Sequence, residues 1–257
     1  MGSISFDRAA EYYDRTRSLS ETAMREMLAV LVPELEGRRR CLEIGVGTGR
    51  IALPLVQAGI PVTGIDLSEN MLAVLSAKTR DVPAVAGDAT RLPFAQAAFD
   101  AAVACHVLHL IPDWRLAVRE LARVVEPGGR VLVNLGGWDH GVWRTIEERF
   151  VAEAGIDNPR PGATDVEEVD ALMAELGAHV RVLPDVVDNR RVSYGELIDR
   201  IEKGMYSFTW GVDDATRVRA AGAVREWVLA EHGPLDEAHD KLWIVSWRAY
   251  DMTGGPG

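Results

Sequence analysis

The spacing of apolar residues changes character along the first part of the chain. Residues 20–32 carry apolar side chains at helical spacing, and Pro33 is expected to end this helix. Further along, short apolar runs typical of buried strands alternate with helical patterns. The strands are predicted at residues 41–44, 61–65, 82–86, 101–105 and 130–135. Strands separated by helices at this spacing predict a mostly parallel sheet with helices on both of its faces.

The pattern is looser in the second half of the chain. Residues 137–177 are predicted to be helical and rich in charge, and residues 178–187 to include a strand. Residues 193–232 predict two more helices, and residues 242–250 a last strand. Because no linker-like segment separates an independent domain, we expect a single domain, 1–257, with the two helices inserted between two strands of the same sheet.

Composition and charge narrow the class of protein. The 257 residues are 47% hydrophobic and 26% charged, which is ordinary for a globular protein. The formal net charge of −11 argues against a nucleic-acid partner, because such binding depends on Lys and Arg neutralising phosphates. Acids lie where a signal peptide needs an apolar stretch, and no apolar run approaches the length of a membrane span. We therefore expect a soluble, cytoplasmic protein with no membrane partner.

The sequence has two cysteines, Cys41 and Cys105. Each lies in or beside an apolar, strand-like run, so both are expected to be reduced thiols of the core. Two cysteines are too few for a disulfide framework or for a zinc site of the usual spacing. We expect no metal.

The segment from Glu43 to Gly49 is the most informative about a ligand. It reads Glu-Ile-Gly-Val-Gly-Thr-Gly at the end of the first predicted strand, and glycines there let the backbone approach a ligand closely. Arg50 occupies the place of the third glycine of the dinucleotide fingerprint, which argues against a bound pyrophosphate. The carboxylate of Glu43 suits a ligand with an ammonium group and repels a pyrophosphate.

Two aspartates end the next two predicted strands. Asp66 follows the second strand, where an acid can accept hydrogen bonds from ribose hydroxyls. Asp88 follows the third strand, where a carboxylate can accept a hydrogen bond from an adenine amino group. Asp66 alone is equally well explained as a capping or loop aspartate. With the glycine turn, the two acids form one constellation at the strand ends, where such sheets bind ligands.

Six segments spread over roughly residues 6–135 resemble the successive motifs of a known family. They are FDRAAEYYDRTR, CLEIGVGTGR, VTGIDLSENML, GDATRLPFAQAAFD, HVLHLIPDW and VVEPGGRVLV. The resemblance is to the class I S-adenosylmethionine-dependent methyltransferases, within the broad group of ubiquinone and menaquinone biosynthesis methyltransferases (methyltransferase type 11 domain). The first segment resembles the N-terminal helix that folds over the cofactor in that group.

The resemblance implies a fold and a cofactor. The fold would be α/β and Rossmann-like, with a doubly wound, mostly parallel seven-stranded sheet, an antiparallel last strand and a helical cap insertion. The cofactor would be S-adenosyl-L-methionine, with S-adenosyl-L-homocysteine as product and no metal. The implied parts are 1–35 as N-terminal lid helices, 36–136 as cofactor-binding core, 137–177 as a helical segment, 193–232 as substrate cap and 242–250 as last strand.

The resemblance also implies roles for individual residues. Glu43 would lie near the amino group of the cofactor, Asp66 would hold the ribose hydroxyls, and Asp88 would meet the adenine edge. Tyr13 would cover the methionine end from the N-terminal helix. The full set of implied cofactor-binding residues is Tyr13, Glu43, Gly45, Gly47, Gly49, Asp66, Leu67, Met71, Asp88, Ala89 and Cys105.

The methyl acceptor is expected near the end of the fourth strand. His106 is a candidate pocket residue and general base for a phenol, an acid or an activated carbon, and His109 is either a second catalytic candidate or structural. Tyr206 and Trp210 in the predicted cap either line an apolar acceptor pocket or anchor the cap, and Trp138 is a weaker candidate. The sequence leaves open the oligomeric state and whether O, C or N is methylated.

Three other functions compete with methylation of a small molecule. An NAD(P)-dependent oxidoreductase is disfavoured by the missing third glycine and by Glu43. A protein that keeps the cofactor site without methyl transfer is disfavoured because every implied cofactor position is intact. A nucleic-acid methyltransferase is disfavoured by the acidic net charge and because Cys105-His106-Val107-Leu108 replaces an Asn/Asp-Pro-Pro-Tyr-type motif.

Overall fold

The structure is a computed structural model that describes residues 3–138 and 140–253. The strands are β1 (Cys41–Ile44), β2 (Val62–Asp66), β3 (Ala84–Ala86), β4 (Phe99–Cys105), β5 (Val125–Asn134), β6 (Gly137–Trp138), β7 (Ala178–Val182), β8 (Val186–Ser193), β9 (Ala238–Val245) and β10 (Arg248–Met252). The helices are α1 (Tyr13–Arg17), α2 (Glu21–Leu35), α3 (Ala52–Gln57), α4 (Glu69–Lys78), α5 (Trp114–Val124), α6 (Val142–Glu153), α7 (Val166–Glu175), α8 (Tyr194–Glu202) and α9 (Asp214–Glu231). None of the described helices combines the length and the apolar character needed to cross a membrane.

These elements group into two units. The first takes the described residues of Met1–Gly136, Pro161–Val186 and Ser246–Gly257, and the second takes those of Gly137–Arg160 and Val187–Val245. Along the chain, most of the second unit is thus inserted between two strands of the first. That the whole chain forms one domain stays a prediction.

The first unit contains the predicted sheet. Its seven strands lie in the order β3-β2-β1-β4-β5-β10-β7. β1 to β5 pair in parallel, whereas β10 runs antiparallel to both β5 and β7. Every residue of β1 and β4 is buried, which is why these strands appear in the sequence as continuous apolar runs. The predicted fold, a mostly parallel seven-stranded sheet with an antiparallel last strand, is confirmed.

The strand register brings the carboxyl ends of the central strands to one edge of the sheet. Ile44 at the end of β1 pairs with Ile65 of β2, and Cys105 at the end of β4 pairs with Asn134 of β5. The loops that follow these strands therefore leave the sheet next to one another. This is the edge at which open α/β sheets bind ligands.

Helix α2 does not end at Pro33, and the predicted stop is wrong. The helix continues to Leu35 although Pro33 lacks an N–H and removes one backbone hydrogen bond. Leu31 and Leu35 lie four residues apart on one face of the helix, and both are fully buried at 0% exposure. Their packing against the core holds the last turn in place.

Strand β5 begins earlier than the predicted residue 130. Val125 already pairs with Phe99 of β4, and a register shift follows before Ala101 pairs with Arg130. The Pro-Gly-Gly segment 127–129 therefore lies within the strand as an irregularity of the ladder. Helix α5 ends before it, at Val124.

The predicted last strand, 242–250, is two strands. β9 lies between β6 and β8 in a three-stranded sheet, whereas β10 joins the seven-stranded sheet. Trp247 lies in the break between them and is fully buried at 0% exposure. Trp243 and Trp247 are four residues apart, a spacing that would put both on one face of a continuous strand, so the sequence alone does not reveal the break. The sequence also missed β8, whose strand character is masked by charged residues although buried and exposed positions alternate at its start.

The second unit has its own core. The two helices predicted in residues 193–232 are confirmed as α8 and α9. Ser193 and Glu196 form a capping box that fixes the start of α8. The core residues of the second unit that are at most 1% exposed are Ile146, Phe150, Ile198, Ile201, Ala220, Ala221, Val224 and Val228.

Candidate active site

A cavity with about 650 Å³ of empty space, partly open to solvent, lies at the carboxyl edge of the seven-stranded sheet. Most of the predicted cofactor-binding residues line it, and so does His106. The predicted lining residues are Tyr13, Gly45, Gly47, Asp66, Leu67, Met71, Asp88, Ala89, Cys105 and His106. The lining residues that the sequence did not single out are Ser3, Ile4, Phe6, Ile65, Gly87, Val107, Leu110 and Ile111.

The glycine loop after β1 lies close against its neighbours. Gly45 has φ +66, and a Cβ built there would lie 2.6 Å from Cγ2 of Val107. Glycine is therefore required at this position both for the backbone conformation and for space. Gly49 has φ +84, and a Cβ there would lie 2.6 Å from Leu75 of α4. Gly49 is not among the residues that line the cavity, and it packs the loop against α4 instead.

Asp66 is held by backbone amides at the end of β2. Its Oδ2 accepts a hydrogen bond from Gly47 N at 2.8 Å, and its Oδ1 accepts one from Ser68 N at 2.8 Å. Burial raises the pKa of Asp66, and the hydrogen bonds from these amides oppose the rise. Each carboxylate oxygen can accept a further hydrogen bond, so the group can still bind hydroxyls in the cavity.

Asp88 is oriented in a similar way after β3. Its Oδ1 accepts hydrogen bonds from both the backbone N and the Oγ1 of Thr90, each at 2.8 Å. This leaves Oδ2 for a ligand, and Asp88 and Ala89 both line the cavity. Asp66 and Asp88 thus line the same cavity from the ends of neighbouring strands.

Glu43 is a buried acid within β1 and does not line the cavity directly. It is 2% exposed, and its Oε2 accepts no hydrogen bond from the described residues. Burial raises the pKa of Glu43 to about 8, against the opposing charge of Arg50. An unsatisfied buried oxygen is costly in a folded protein, so this carboxyl is suited to a donor supplied by a ligand.

His106 follows β4 in an unusual backbone conformation. Its φ is +55, which an L-residue rarely adopts, and its N–H donates to the carbonyl of Asn134 at 2.9 Å. Burial, and after it the positive charge of Arg50, lowers the pKa of His106 well below the ordinary 6.5. The imidazole is therefore neutral at physiological pH, and it lines the cavity.

His109 has a different environment. It belongs to the 3₁₀ turn Leu108–Leu110, and its carbonyl accepts a hydrogen bond from Gly162 N at 3.0 Å. The ring centroids of His106 and His109 are 6.4 Å apart, but His109 is not among the cavity-lining residues. Its predicted catalytic role gains no support from its place in the fold.

The N-terminal segment lines the cavity as well. Ser3, Ile4 and Phe6 join the predicted Tyr13 in its wall, and Ile4 N donates to the carbonyl of Leu110 at 3.2 Å. The motif FDRAAEYYDRTR begins at Phe6 and so predicts a role for this part of the chain. However, no periodic pattern identifies residues 3–6, because they form no helix or strand.

Two aspartates hold this segment against the loops of the site. Oδ1 of Asp7 accepts a hydrogen bond from Oγ of Ser68 at 2.6 Å, and these contacts lower the pKa of Asp7. Asp14 accepts a hydrogen bond from Oγ1 of Thr48 at 2.6 Å and pairs with Lys78 at 2.6 Å. Both loops that they hold, after β1 and after β2, border the cavity.

The predicted acceptor-binding residues belong to the second unit. Tyr206 stacks on Phe208 with ring centroids 5.6 Å apart, and Nε1 of Trp210 donates to the carbonyl of Gly204 at 2.8 Å. Trp138 is in β6, but its side chain lies outside the described residues. A role of these residues in acceptor binding stays a prediction. Among the residues that the structure describes, no group of three or more His, Cys, Asp or Glu could hold a metal ion.

Sequence comparison connects the chain to known proteins. A family model described as a methyltransferase domain matches residues 42–133. The chain is 32% identical over 187 residues to a demethylmenaquinone methyltransferase of Paenarthrobacter aurescens (strain TC1), a match that covers 70% of this chain and 71% of that protein. It is 37% identical over 186 residues to a demethylmenaquinone methyltransferase of Mycobacterium sp. (strain KMS), covering 70% of this chain and 77% of that protein.

Solved structures share the fold. The YcgJ protein of Bacillus subtilis superposes with a TM-score of 0.64 at 20% identity, covering 90% of this chain and 100% of that chain. Phosphoethanolamine N-methyltransferase 2 of Haemonchus contortus, solved in complex with S-adenosyl-L-methionine, superposes with a TM-score of 0.55 at 20% identity, covering 98% of this chain and 61% of that chain. At these identities the likeness shows the fold alone.

Proposed function

Because this chain belongs to the S-adenosylmethionine-dependent methyltransferase family that includes the demethylmenaquinone methyltransferases, we propose that the cavity at the sheet edge holds its cofactor. The acceptor of the methyl group is a small molecule. We further infer that His106 takes up the proton that this acceptor loses.

The observation that best supports the cofactor site is the set of three acids around one glycine loop. Asp66, oriented by two amides, would accept hydrogen bonds from the ribose hydroxyls. Asp88, with Oδ1 already engaged by Thr90, would accept one from the adenine edge. The unsatisfied Oε2 of Glu43 would meet the ammonium group. A nucleoside carrying an amino acid fits this donor and acceptor set, whereas a pyrophosphate does not.

The chemistry leaves the protein mainly a positioning task. The bound cofactor supplies a methyl group on a positively charged sulfur, which is already activated for displacement. The chain must align the acceptor with that group and exclude water, and alignment of this kind contributes about 7–11 kcal/mol. A positioned base typically adds a further factor of about 10²–10⁴.

His106 is suited to the role of base because it is neutral. Burial lowers its pKa well below 6.5, so at physiological pH the imidazole can accept a proton without first losing one. The φ of +55 is a strained conformation for an L-residue, and such strain often occurs at functional sites. An acceptor with an ionisable proton, such as a phenol, an acid or an activated carbon, is consistent with such a base.

A methyl-transfer assay tests this proposal. The protein is incubated with methyl-labelled S-adenosylmethionine and a panel of acceptors, beginning with a demethylmenaquinone and continuing with phenols, carboxylic acids and amines. We expect transfer to at least one acceptor, and a loss of about 10²–10⁴ in turnover for His106→Ala with unchanged affinity for S-adenosylhomocysteine.

His109→Ala is the matched control, because His109 is the neighbouring histidine outside the cavity lining. Equal turnover of wild type and His106→Ala would remove His106 from the mechanism. Intact cofactor binding without transfer to any acceptor would favour a cofactor-binding protein over an enzyme.

We also infer that the chain acts in the cytoplasm and does not bind nucleic acid. The net charge of −11 supports the second inference, since it disfavours contact with phosphates. Filter binding with DNA and RNA at low salt, and fractionation of cells that contain the protein, are the corresponding measurements.

A further inference from the structure

Asn134, the last residue of β5, is a buried residue that has no role in the proposed function. It is 1% exposed, and it pairs with Cys105 at the end of β4. Its backbone carbonyl accepts a hydrogen bond from the N–H of His106 at 2.9 Å. The hydrogen bonding between β4 and β5 thus continues to the proposed base, and Asn134 is the residue that accepts this last bond.

The side chain of Asn134 contacts two further groups. Nδ2 donates to the carbonyl of Ser246 at 2.7 Å, and Oδ1 accepts a weak hydrogen bond from Sγ of Cys105 at 3.9 Å. Burial raises the pKa of the Cys105 thiol to about 12, so the thiol keeps the proton that it donates. Because a carbonyl only accepts hydrogen bonds, the donor end of the amide must face Ser246. Both ends of this side chain therefore have a partner, in one orientation only.

Ser246 is anchored in turn. Its Oγ donates to Oδ1 of Asp185 at 2.6 Å. Asp185 lies next to Val186, the last residue before the chain leaves the first unit, and Ser246 is the residue at which the chain returns to it. A series of hydrogen bonds therefore connects the backbone of His106 to Asp185 through Asn134, and all of its members belong to the first unit.

The conformation of His106 requires support from its neighbours. Its φ of +55 is in the left-handed region, which costs free energy in an L-residue and persists only where the surrounding structure fixes it. A Cβ built on Gly136 would lie 3.5 Å from both Nδ1 and Cε1 of the His106 ring, so the ring lies close to this glycine. A shift of the end of β5 would therefore move both the backbone and the imidazole of His106.

We propose that Asn134 is a positioning residue for His106: its carbonyl fixes the strained backbone, and its amide holds the end of β5 against Ser246. This inference rests on the proposed role of His106 as base and adds the residue that holds the base in place. A displacement of about 1 Å at a reacting group can cost about 10²-fold in rate. Loss of the amide should therefore slow proton uptake and spare cofactor binding, since Asp66 and Asp88 follow other strands.

Replacement of Asn134 by leucine removes the donor and the acceptor at similar volume. In the methyl-transfer assay, Asn134→Leu should lower kcat by about 10–100-fold and change the KM of the acceptor by less than about threefold. Calorimetry with S-adenosylhomocysteine should give an affinity within about threefold of the wild type, which also shows that the variant is folded. Asn158→Leu, at an exposed position, is the matched control and should behave like the wild type.

A double-mutant cycle separates positioning from a general structural effect. If Asn134 acts through His106, Asn134→Leu should lower kcat by less than about a further threefold in the His106→Ala background. Asn134→Ser keeps a small donor and should lie between the wild type and Asn134→Leu. If Asn134→Leu does not fold, the cycle is measured with Asn134→Ser.

Nuclear magnetic resonance of ¹³C-labelled histidine gives a second measurement that needs no acceptor. The wild-type His106 ring should stay neutral from about pH 8 to about pH 6, because burial, and after it the charge of Arg50, lowers its pKa. Asn134→Leu should raise this pKa toward 6.5 as the ring becomes less buried. His109 and Arg17, which also lower the pKa, are unchanged in the variant, so the rise should be partial.

The outcomes distinguish the inference from the proposed function. Unchanged kcat in Asn134→Leu, or an equal loss in the wild-type and His106→Ala backgrounds, would overturn the inference. An unchanged pKa of His106 in the folded variant would overturn it as well, including the case in which no acceptor of the panel is methylated. Full turnover by His106→Ala would instead refute the proposed base, and the inference with it.

Discussion

Titration with S-adenosylhomocysteine at different pH values is expected to show that the ligand displaces a proton from Glu43. This carboxyl is 2% exposed, its Oε2 lacks a donor among the described residues, and burial raises its pKa to about 8. The empty site therefore holds it mostly as a neutral acid at pH 7. A ligand ammonium group beside it favours the charged carboxylate and lowers that pKa.

The size of the effect follows from this pKa. With a pKa of about 8, about nine-tenths of the Glu43 carboxyls carry a proton at pH 7. If the bound ligand lowers the pKa below about 5, each binding event at pH 7 releases about 0.9 proton. The dissociation constant should then fall about tenfold for each pH unit between about 6 and 7.5, because deprotonation becomes less costly.

Calorimetry in buffers of different ionisation enthalpy measures the proton release directly. Glu43→Gln removes the titrating group but keeps its shape, so proton release and the pH dependence of affinity should both disappear. Glu11→Gln changes an exposed glutamate and serves as the matched control, which should behave like the wild type. Zero proton release by the wild type, or the same release by Glu43→Gln, would refute the reasoning.

The same pKa has a consequence for stability without ligand. Because the pKa of Glu43 in the folded state, about 8, lies above its ordinary value of 4.5, the folded protein binds more protons than the unfolded chain between these values. The free energy of unfolding of the wild type should therefore decrease as the pH rises from about 4.5 to about 8. Urea unfolding of Glu43→Gln should lack this decrease, and this profile also shows whether the variant is folded.

Backbone geometry and one ion pair give three further tests by urea unfolding. Gly45→Ala, at φ +66 and with a Cβ 2.6 Å from a side chain, should lower the free energy of unfolding by about 2–5 kcal/mol. Gly37→Ala, at φ +76 but with no described atom within 4 Å of its Cβ, should lower it by only about 1–2 kcal/mol, and equal losses would contradict the packing argument. His106→Gly should be more stable than His106→Ala by about 0.5–1 kcal/mol, because φ is +55 there, and the reverse order would contradict backbone strain. The hydrogen bond from Arg181 lowers the pKa of Glu34 below 4.5, so Arg181→Met should lower the free energy of unfolding by about 1 kcal/mol above pH 4.5 and by less as the pH falls further. A loss that does not depend on pH would rule out the Arg181–Glu34 ion pair as its cause.

The central fold was predictable because burial imposes a pattern on the sequence. β1 and β4 are buried along their whole length and so appear as apolar runs, and the acids Asp66 and Asp88 interrupt the pattern where the strands end. Residues that end successive parallel strands meet at one edge, so the site could be inferred from their order. The glycine loop and Tyr13 added a resemblance that agrees with this geometry.

Other features depend on contacts that a sequence pattern does not encode. Ile4 and Phe6 line the cavity from an irregular segment, which has no periodicity to detect. Gly49 shares the spacing of its neighbours in the loop, yet close packing on α4 fixes its role. The end of α2 beyond Pro33 and the break at Trp247 are decided by burial of side chains against distant parts of the chain. Tertiary packing outweighs local preference in both cases.

The cavity at the sheet edge is expected to bind S-adenosylmethionine, and calorimetric titration of the wild type and Asp66→Ala tests this most directly. Asp81→Ala, at an exposed position, controls for the loss of one negative charge. We predict binding of S-adenosylmethionine and S-adenosylhomocysteine but not of NADH, with both affinities weakened only by Asp66→Ala. Two results for the wild type would contradict this assignment: binding of NADH alone, or binding of none of the three ligands. Equal affinity of the wild type and Asp66→Ala for S-adenosylmethionine would contradict it as well.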